Sequence, residues 1–338
     1  MKLYGAIDLH ANNNVTVISD ERDQVIYNRR LPNDLPTILR AVETYRGELQ
    51  GLAVESTFNW YWLVDGLMDA GYKVHLVNTS AVKTYEGLKF TDDESDARHL
   101  AHLLRLGILP EGYIYPKEQR GVRDLLRKRA HLVRQRTAQI LSVKNLAQRN
   151  VGQNVSAERL DKLTPAEIAP LCGDTHRELA MKSSLAVIRC LNEQIRTLEK
   201  AVRNQVKLRP EFRMLLTVDG IGDILGLTIM LETGDIRRFP TVGDYASYCR
   251  CVGSGKFSNF KKKGQGNRKN GNDYLGWAYI EAAEYARRYQ ELVRRFYERK
   301  KAKTMAVVAR KSIAHKLSRA CYYIMRDQVP FQVERAFA

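Results

Sequence analysis

The sequence predicts a chain of α/β plus α class, mixed at its amino-terminal end and mostly helical afterwards. Three observations predict it. Over residues 3–29 short runs alternate apolar and polar, and the segments that follow switch their period from two to about 3.6 and back, twice. From about residue 117 apolar residues recur every seven positions on a charged background. The last third ends in two long helical patterns behind a Gly- and Lys-rich stretch.

Residues 3–8 (LYGAID), 14–19 (NVTVIS) and 24–29 (QVIYNR) read as three strands, and the Asn and Asp of LHANN and DERD supply the turns between them. Three strands in series make an antiparallel meander. Then LPTILRAVETYR reads as a helix, GLAVES as a strand, NWYWLVDGLMDAGY as a helix, KVHLVN as a strand and SDARHLAHLLRLG as a closing helix. A meander followed by alternating helices and strands is the element order of the ribonuclease H fold. The expected domain spans 1–112.

A helical connector is expected over 113–207. Leu126, Val133, Ile140 and Ala147 form one heptad seam, and Ile188, Leu191, Ile195, Leu198 and Val202 form a second at spacings of three and four. Two readings fit: a helix pair within one chain, or an intermolecular coiled coil. Residues 208–338 make the third expected domain, with helices near 273–299 and 304–326.

With 55 Lys and Arg against 38 Asp and Glu, the net charge of +17 favours a polyanionic partner, a nucleic acid such as double-stranded DNA ahead of an anionic membrane surface. The start MKLYGAIDLH lacks the marks of a signal peptide, and no stretch approaches the roughly 20 apolar residues of a membrane span. Five dispersed cysteines suit a reducing cytoplasm and free thiols. Cys249 and Cys251 lack the further Cys or His that a structural zinc site needs, so they read as buried thiols.

Against this basic background, TDDESDARHL at 91–100 concentrates acids. In the element order above, Asp8 ends the first strand and Glu55 the strand GLAVE. Asp93 and Asp96 open the closing helix, where a spacing of three puts them on one face. Four carboxylates at one sheet edge repel one another unless a divalent cation neutralises them. Oxygen ligands suit Mg²⁺ or Mn²⁺, which assist phosphodiester exchange. Taken singly, each acid has a structural reading, as a turn residue or as a helix-start acid favoured by the macrodipole. His99 and His102 follow on the same helix and could extend the ligand set to a transition metal, although packing or solvation is the simpler reading.

A second concentration of charge lies at 245–272, which carries seven Lys or Arg and no acid. Lys256, Lys261, Lys262, Lys263, Arg268 and Lys269 in its Gly-rich part are candidate nucleic-acid contacts. Upstream, TVDGIGDILG resembles a helix-hairpin-helix turn whose Gly220 and Gly222 let backbone amides face a duplex; an ordinary helix start after a Gly turn fits equally. Ser254 and Ser258 stand among the lysines, whose field favours an alkoxide nucleophile, though most loop serines only cap or solvate.

Taken in order, GAID, AVEST, DESDARHLAHLL, VDGIG and SNFKKKGQGNRKNGNDYLGWAYIEAA resemble the DEDD transposases of insertion-sequence family 110, relatives of the pilin-gene invertase, over nearly the whole chain. The resemblance implies a Holliday-junction-resolvase-like domain of the ribonuclease H type, a coiled-coil connector and a carboxy-terminal transposase domain. It places the family's four metal-binding acids on Asp8, Glu55, Asp93 and Asp96, with Mg²⁺ as cofactor. Its nucleophilic serine falls on Ser258, with Ser254 as the alternative. It further implies a homo-oligomer, dimer or tetramer, whose acids and serine come from different subunits, and in some members a guide RNA encoded by the element itself. The function expected is therefore a transposase and site-specific recombinase. A junction-resolving nuclease that uses water and a non-enzymatic nucleic-acid scaffold are the rivals.

Overall fold

The computed structural model describes residues 1–82, 93–160, 162–206, 209–253, 255–264 and 270–337, except the side chains of 206, 256, 257 and 262. Contacts divide the chain into two compact units, Met1–Lys117 and Glu118–Ala338.

The first unit is a five-stranded mixed sheet carrying helices on both faces. Strands β1 (Leu3–Leu9), β2 (Asn13–Asp20) and β3 (Val25–Pro32) form the antiparallel meander. Helix α1 (Leu35–Glu43) leads to β4 (Leu49–Glu55), and α2 (Tyr61–Asp69) to β5 (Val74–Val77). The single-turn helix α3 (Thr79–Val82) and helix α4 (Asp93–Arg105) follow. The order is β3-β2-β1-β4-β5, with β4 parallel to both β1 and β5.

Period-two alternation sorts the strand residues between the two faces. Leu3, Ile7 and Leu9 of β1 and Leu52 and Val54 of β4 pack with Ile38, Val42, Leu63 and Leu67 of α1 and α2. Ala6 and Ala53 point the other way and pack with Leu100, Ala101 and Leu103 of α4, while Val15 and Val17 of β2 meet Ala97. Small side chains on both sides of this second interface let α4 approach the sheet closely. Asp34 starts α1 by accepting hydrogen bonds from the backbone N–H and the hydroxyl of Thr37, an N-cap arrangement.

In the second unit, α5 (Lys117–Val151) and α8 (Thr175–Val206) run antiparallel, with the short helices α6 (Ala157–Leu160) and α7 (Pro165–Ile168) between them in sequence. Arg129 pairs with Glu199 at 2.8 Å, and Arg136 donates to Asn192 at 2.9 Å. One partner advances seven residues as the other retreats seven, which defines the antiparallel register. Met181, Leu185, Ile188, Ile195 and Val202 are the buried seam of α8. Leu191 and Leu198, expected in that seam, are only half-buried, because Asn192 and Glu199 sit at seam spacing and take up the polar contacts. Polar pairs in a seam specify register at some cost in stability.

The remaining helices are α9 (Pro210–Leu215), α10 (Asp223–Thr233), α11 (Val242–Tyr248), α12 (Asp273–Tyr289), α13 (Glu291–Lys301), α14 (Ala306–Asp327) and α15 (Val333–Phe337). Helix α10 is buried almost all round, and Tyr245, Tyr279, Leu317 and Cys321 complete its core. The pattern near 273–299 forms two helices rather than one, since Gln290 is extended and its side chain donates to Asp219. Cys249 and Cys251 are buried in the core. Burial pushes the Cys251 thiol up to about 11, and the Cys249 thiol is raised as well. No described helix is long and apolar enough to cross a membrane.

Gly220 has a left-handed φ of 94° and lies against α12, where an added Cβ comes 2.5 Å from the Ala286 amide nitrogen and 2.6 Å from the Ala282 carbonyl oxygen. Neither backbone atom can give way. Gly220→Ala is expected to destabilise the fold by roughly 3 kcal/mol, lowering Tm by about 6–12 °C in thermal denaturation. An unchanged Tm contradicts this packing role.

Candidate functional site

The acidic site of the first unit is built on one row of the sheet. Arg30 on β3 pairs with Val15 on β2, and Val15 pairs with Asp8 on β1. Ile7 pairs with Val54 on β4, so Glu55 follows next to Asp8. The alternation that turns Leu9 and Val54 into the α1/α2 core turns Asp8 and Glu55 toward α4, whose first turn carries Asp93 and Asp96. Asp8 is buried, whereas Asp96 is exposed at the helix start.

Distances tie this row together. His10 Nε2 lies 3.3 Å from Asp8 Oδ2 and 3.2 Å from Asp93 Oδ2, and Arg30 Nη2 lies 2.6 Å from the same Asp93 oxygen. Ligand atoms of Asp8, His10 and Asp93 all lie within 4.8 Å of one another. The His10 Nε2 atom is buried and, despite two carboxylates at contact distance, has hydrogen-bond geometry to neither. Two carboxylates and an imidazole nitrogen thus stand within ligand distance of one another, a donor set that fits a divalent cation, with Arg30 already holding the Asp93 oxygen.

The electrostatics agree with that fit. The Glu55 carboxyl is pushed up to about 8, first by burial, then by its hydrogen bond to Asp8 and by the charges of Asp8 and Asp96. Asp93 lies below the usual carboxylate range, chiefly because the Arg30 guanidinium hydrogen-bonds to it, with His10 adding to the effect. The four acids thus fall into a repelling group around Glu55 and a neutralised one at Asp93.

Between its unfolded value near 4.5 and about 8, Glu55 holds a proton in the folded chain that the unfolded chain releases. Stability from this group is therefore full below about 4.5 and is lost as pH rises through about 8. Cation binding has the opposite sign, because it displaces that proton. Affinity for a divalent cation is expected to rise with pH up to about 8 and then level off, with proton release below that value. Isothermal titration in buffers of different ionisation enthalpy measures both; flat affinity without proton release contradicts the coupling.

His10 and Arg30 are site residues that the sequence reading missed. His10 follows the last residue of β1 directly, two positions on from Asp8, and extended backbone of that spacing keeps both on one face. Nothing local distinguishes Arg30 from Arg29; only the β2–β3 register does so. His102 does not join the acids: it and Arg105 hold Asp23 of the β2–β3 turn at 2.9 and 2.6 Å, fastening α4 to that turn.

In the second unit, Ser258 ends a strand of an unexpected hairpin, β6 (Lys256–Ser258) with β7 (Lys261–Gly264). Ser258 pairs with Lys261 across the two-residue loop Asn259–Phe260, both left-handed with φ of 48° and 61°. Two positive φ values match the type I′ pattern of tight hairpins, which favours Asn then Gly. A bulky residue at the second position costs about 1–2 kcal/mol. Ser258, Lys261 and Lys263 are exposed. Lys256 and Lys262 lie on the two strands, but their side chains, like Ser254, Arg268 and Lys269, fall outside the described residues.

The base of this loop is closed by Arg250 and Asp273, 2.6 Å apart, and by the Asn272 amide donating to the Tyr248 carbonyl. The Asn272 side chain caps α12 and donates to buried Glu232, which Arg127 grips with two hydrogen bonds of 2.7 and 2.8 Å. Gly222 is the N-cap of α10, and Gly220 faces α12 as described above. Asp219 and Asp223 flank this turn, bonded to Gln290 and Arg203.

Residues 6–149 match a family model for DEDD transposases of IS110 elements, and residues 212–298 match the model described as transposase IS116/IS110/IS902 family. A probable family 20 transposase of Pseudomonas aeruginosa is 28% identical over 224 residues, 60% of this chain and 63% of the relative. The transposase for insertion sequence element IS1111A of Coxiella burnetii is 24% identical over 324 residues, 92% of this chain and 83% of that protein.

Proposed function

Because the chain belongs to the transposase family of IS116, IS110 and IS902 elements, we propose that it is a site-specific recombinase of mobile DNA, cleaving and rejoining duplexes through a serine nucleophile assisted by a carboxylate-bound divalent cation. The observation that carries this reading is the row Arg30, Asp8 and Glu55 beneath the acidic first turn of α4. The strand order β3-β2-β1-β4-β5 supports reading residues 1–112 as a ribonuclease H-like domain of the junction-resolvase type. Residues 113–207 are then the connector and 208–338 the serine-bearing domain.

Asp8, Glu55, Asp93 and Asp96, with His10, would hold Mg²⁺ or Mn²⁺. Bound there, the ion supplies Lewis-acid polarisation of phosphodiester oxygens. The chain's own groups do the rest. Arg30 keeps Asp93 ionised, and Glu55 gives up its proton when the site fills. Ser258 Oγ forms a bond to phosphorus as its proton departs, and the scissile sugar oxygen leaves and takes up a proton. Lys261, which pairs with Ser258, and Lys263 on the same strand would lower the cost of charge gathering on the phosphate.

In the covalent product, energy of the broken bond is retained for rejoining, which hydrolysis forfeits. Trapping on a nicked duplex, followed by proteolysis and mass spectrometry, tests the reading. A deoxynucleotide ester on the Ser258 peptide is expected; cleavage without an adduct overturns it in favour of a water-using nuclease, and no cleavage with any divalent metal favours a scaffold. The net charge of +17 also supports a guide RNA as a second polyanion, and sequencing nucleic acid that co-purifies with the protein tests this.

A further inference from the structure

We infer that Phe260 is a wedge that enters the base stack of duplex DNA beside the bond cut by Ser258; this rests on the proposed serine reading. Phe260 is 100% exposed, and it occupies a left-handed position that disfavours bulky side chains. Gly there would relieve the backbone, and a polar residue would suit the solvent. The residue therefore costs the free protein backbone strain, and backbone outliers of this kind gather at functional sites.

The surroundings indicate the partner. The ring is separated from Ser258 by Asn259 alone, at the tip of a two-stranded hairpin. Lys261 and Lys263 are exposed on the following strand, and the sequence from 251 to 272 contains no Asp or Glu. A flat apolar ring framed by cations matches a nucleic acid, whose bases offer apolar faces between lines of phosphate. Apolar side chains on minor-groove and architectural proteins insert between base steps in this way and kink the duplex. The same insertion here tilts apart the two nucleotides that flank the scissile phosphate and gives the neighbouring hydroxyl access along the line of attack. Duplex DNA is favoured over single-stranded RNA because the hairpin is narrow enough to enter a groove and already carries the residue assigned to the cut strand.

The test uses the full chain and a short nicked duplex carrying 2-aminopurine next to the nick, whose emission rises when the base unstacks. Wild-type protein is expected to raise that emission. Phe260→Gly is expected to lose the rise, to weaken binding by about tenfold, and to keep a Tm no lower than wild type. Phe260→Trp should restore insertion. Ser258→Ala keeps the emission rise, so loss of exchange in that variant bears on the nucleophile alone, and loss of unstacking in Phe260→Gly bears on the wedge alone. Unchanged emission and affinity in Phe260→Gly overturn the inference. So does an emission rise confined to single-stranded RNA, or a wild-type complex that leaves the duplex stacked.

Discussion

Ser258→Ala is expected to lower strand exchange by about four orders of magnitude or more, while duplex binding changes by less than about twofold. The hydroxyl is the proposed attacking group, and removing a nucleophile leaves only the catalysis that positioning and phosphate neutralisation provide. The side chain is exposed on a hairpin tip, so its truncation should shift stability by no more than about 0.5 kcal/mol. Gel-shift titration and a strand-exchange assay on the same preparation separate the two quantities. Exchange that survives in Ser258→Ala removes the serine from the chemistry.

Asp8→Asn carries the second large effect, and its two readouts run in opposite directions. Asn is nearly isosteric with Asp and keeps one acceptor oxygen, so the packing of β1 under α4 survives. Removing the charge relieves the repulsion that raises Glu55, and the metal-free protein should gain about 1 kcal/mol near neutral pH. Strand exchange, by contrast, should fall about a thousandfold or more. Thermal denaturation in chelator and the exchange assay measure the pair. A variant that loses activity together with stability points to a structural role for Asp8, and one that keeps activity removes it from the site.

Much of the first unit was legible because its signals are local. Period-two runs gave β1 to β5, the 3.6 period gave α1, α2 and α4, and the strand ends marked Asp8 and Glu55 as neighbours in the eventual row. The site was less legible wherever register or turn chemistry decides. His10 carried a spacing clue, but Arg30 enters only through the pairing of β2 with β3. The hairpin around Ser258 was hidden because Lys and Gly are poor strand formers and Asn-Phe is not a usual type I′ pair. The break at Gln290 has no Gly or Pro to announce it, and it follows instead from the tertiary bond to Asp219. In α8 the apolar spacing was genuine, yet Asn192 and Glu199 took seam positions because Arg136 and Arg129 wait opposite them.

Manganese binding to the full chain, followed by electron paramagnetic resonance, tests the central claim most directly. The account predicts that wild-type protein takes up Mn²⁺ at a saturable site, and that Asp8→Asn and Asp93→Asn each abolish it while Asp34→Asn, at the N-cap of α1, does not. Mn²⁺ uptake that is the same in wild type and both site variants would contradict a metal centre at the end of β1.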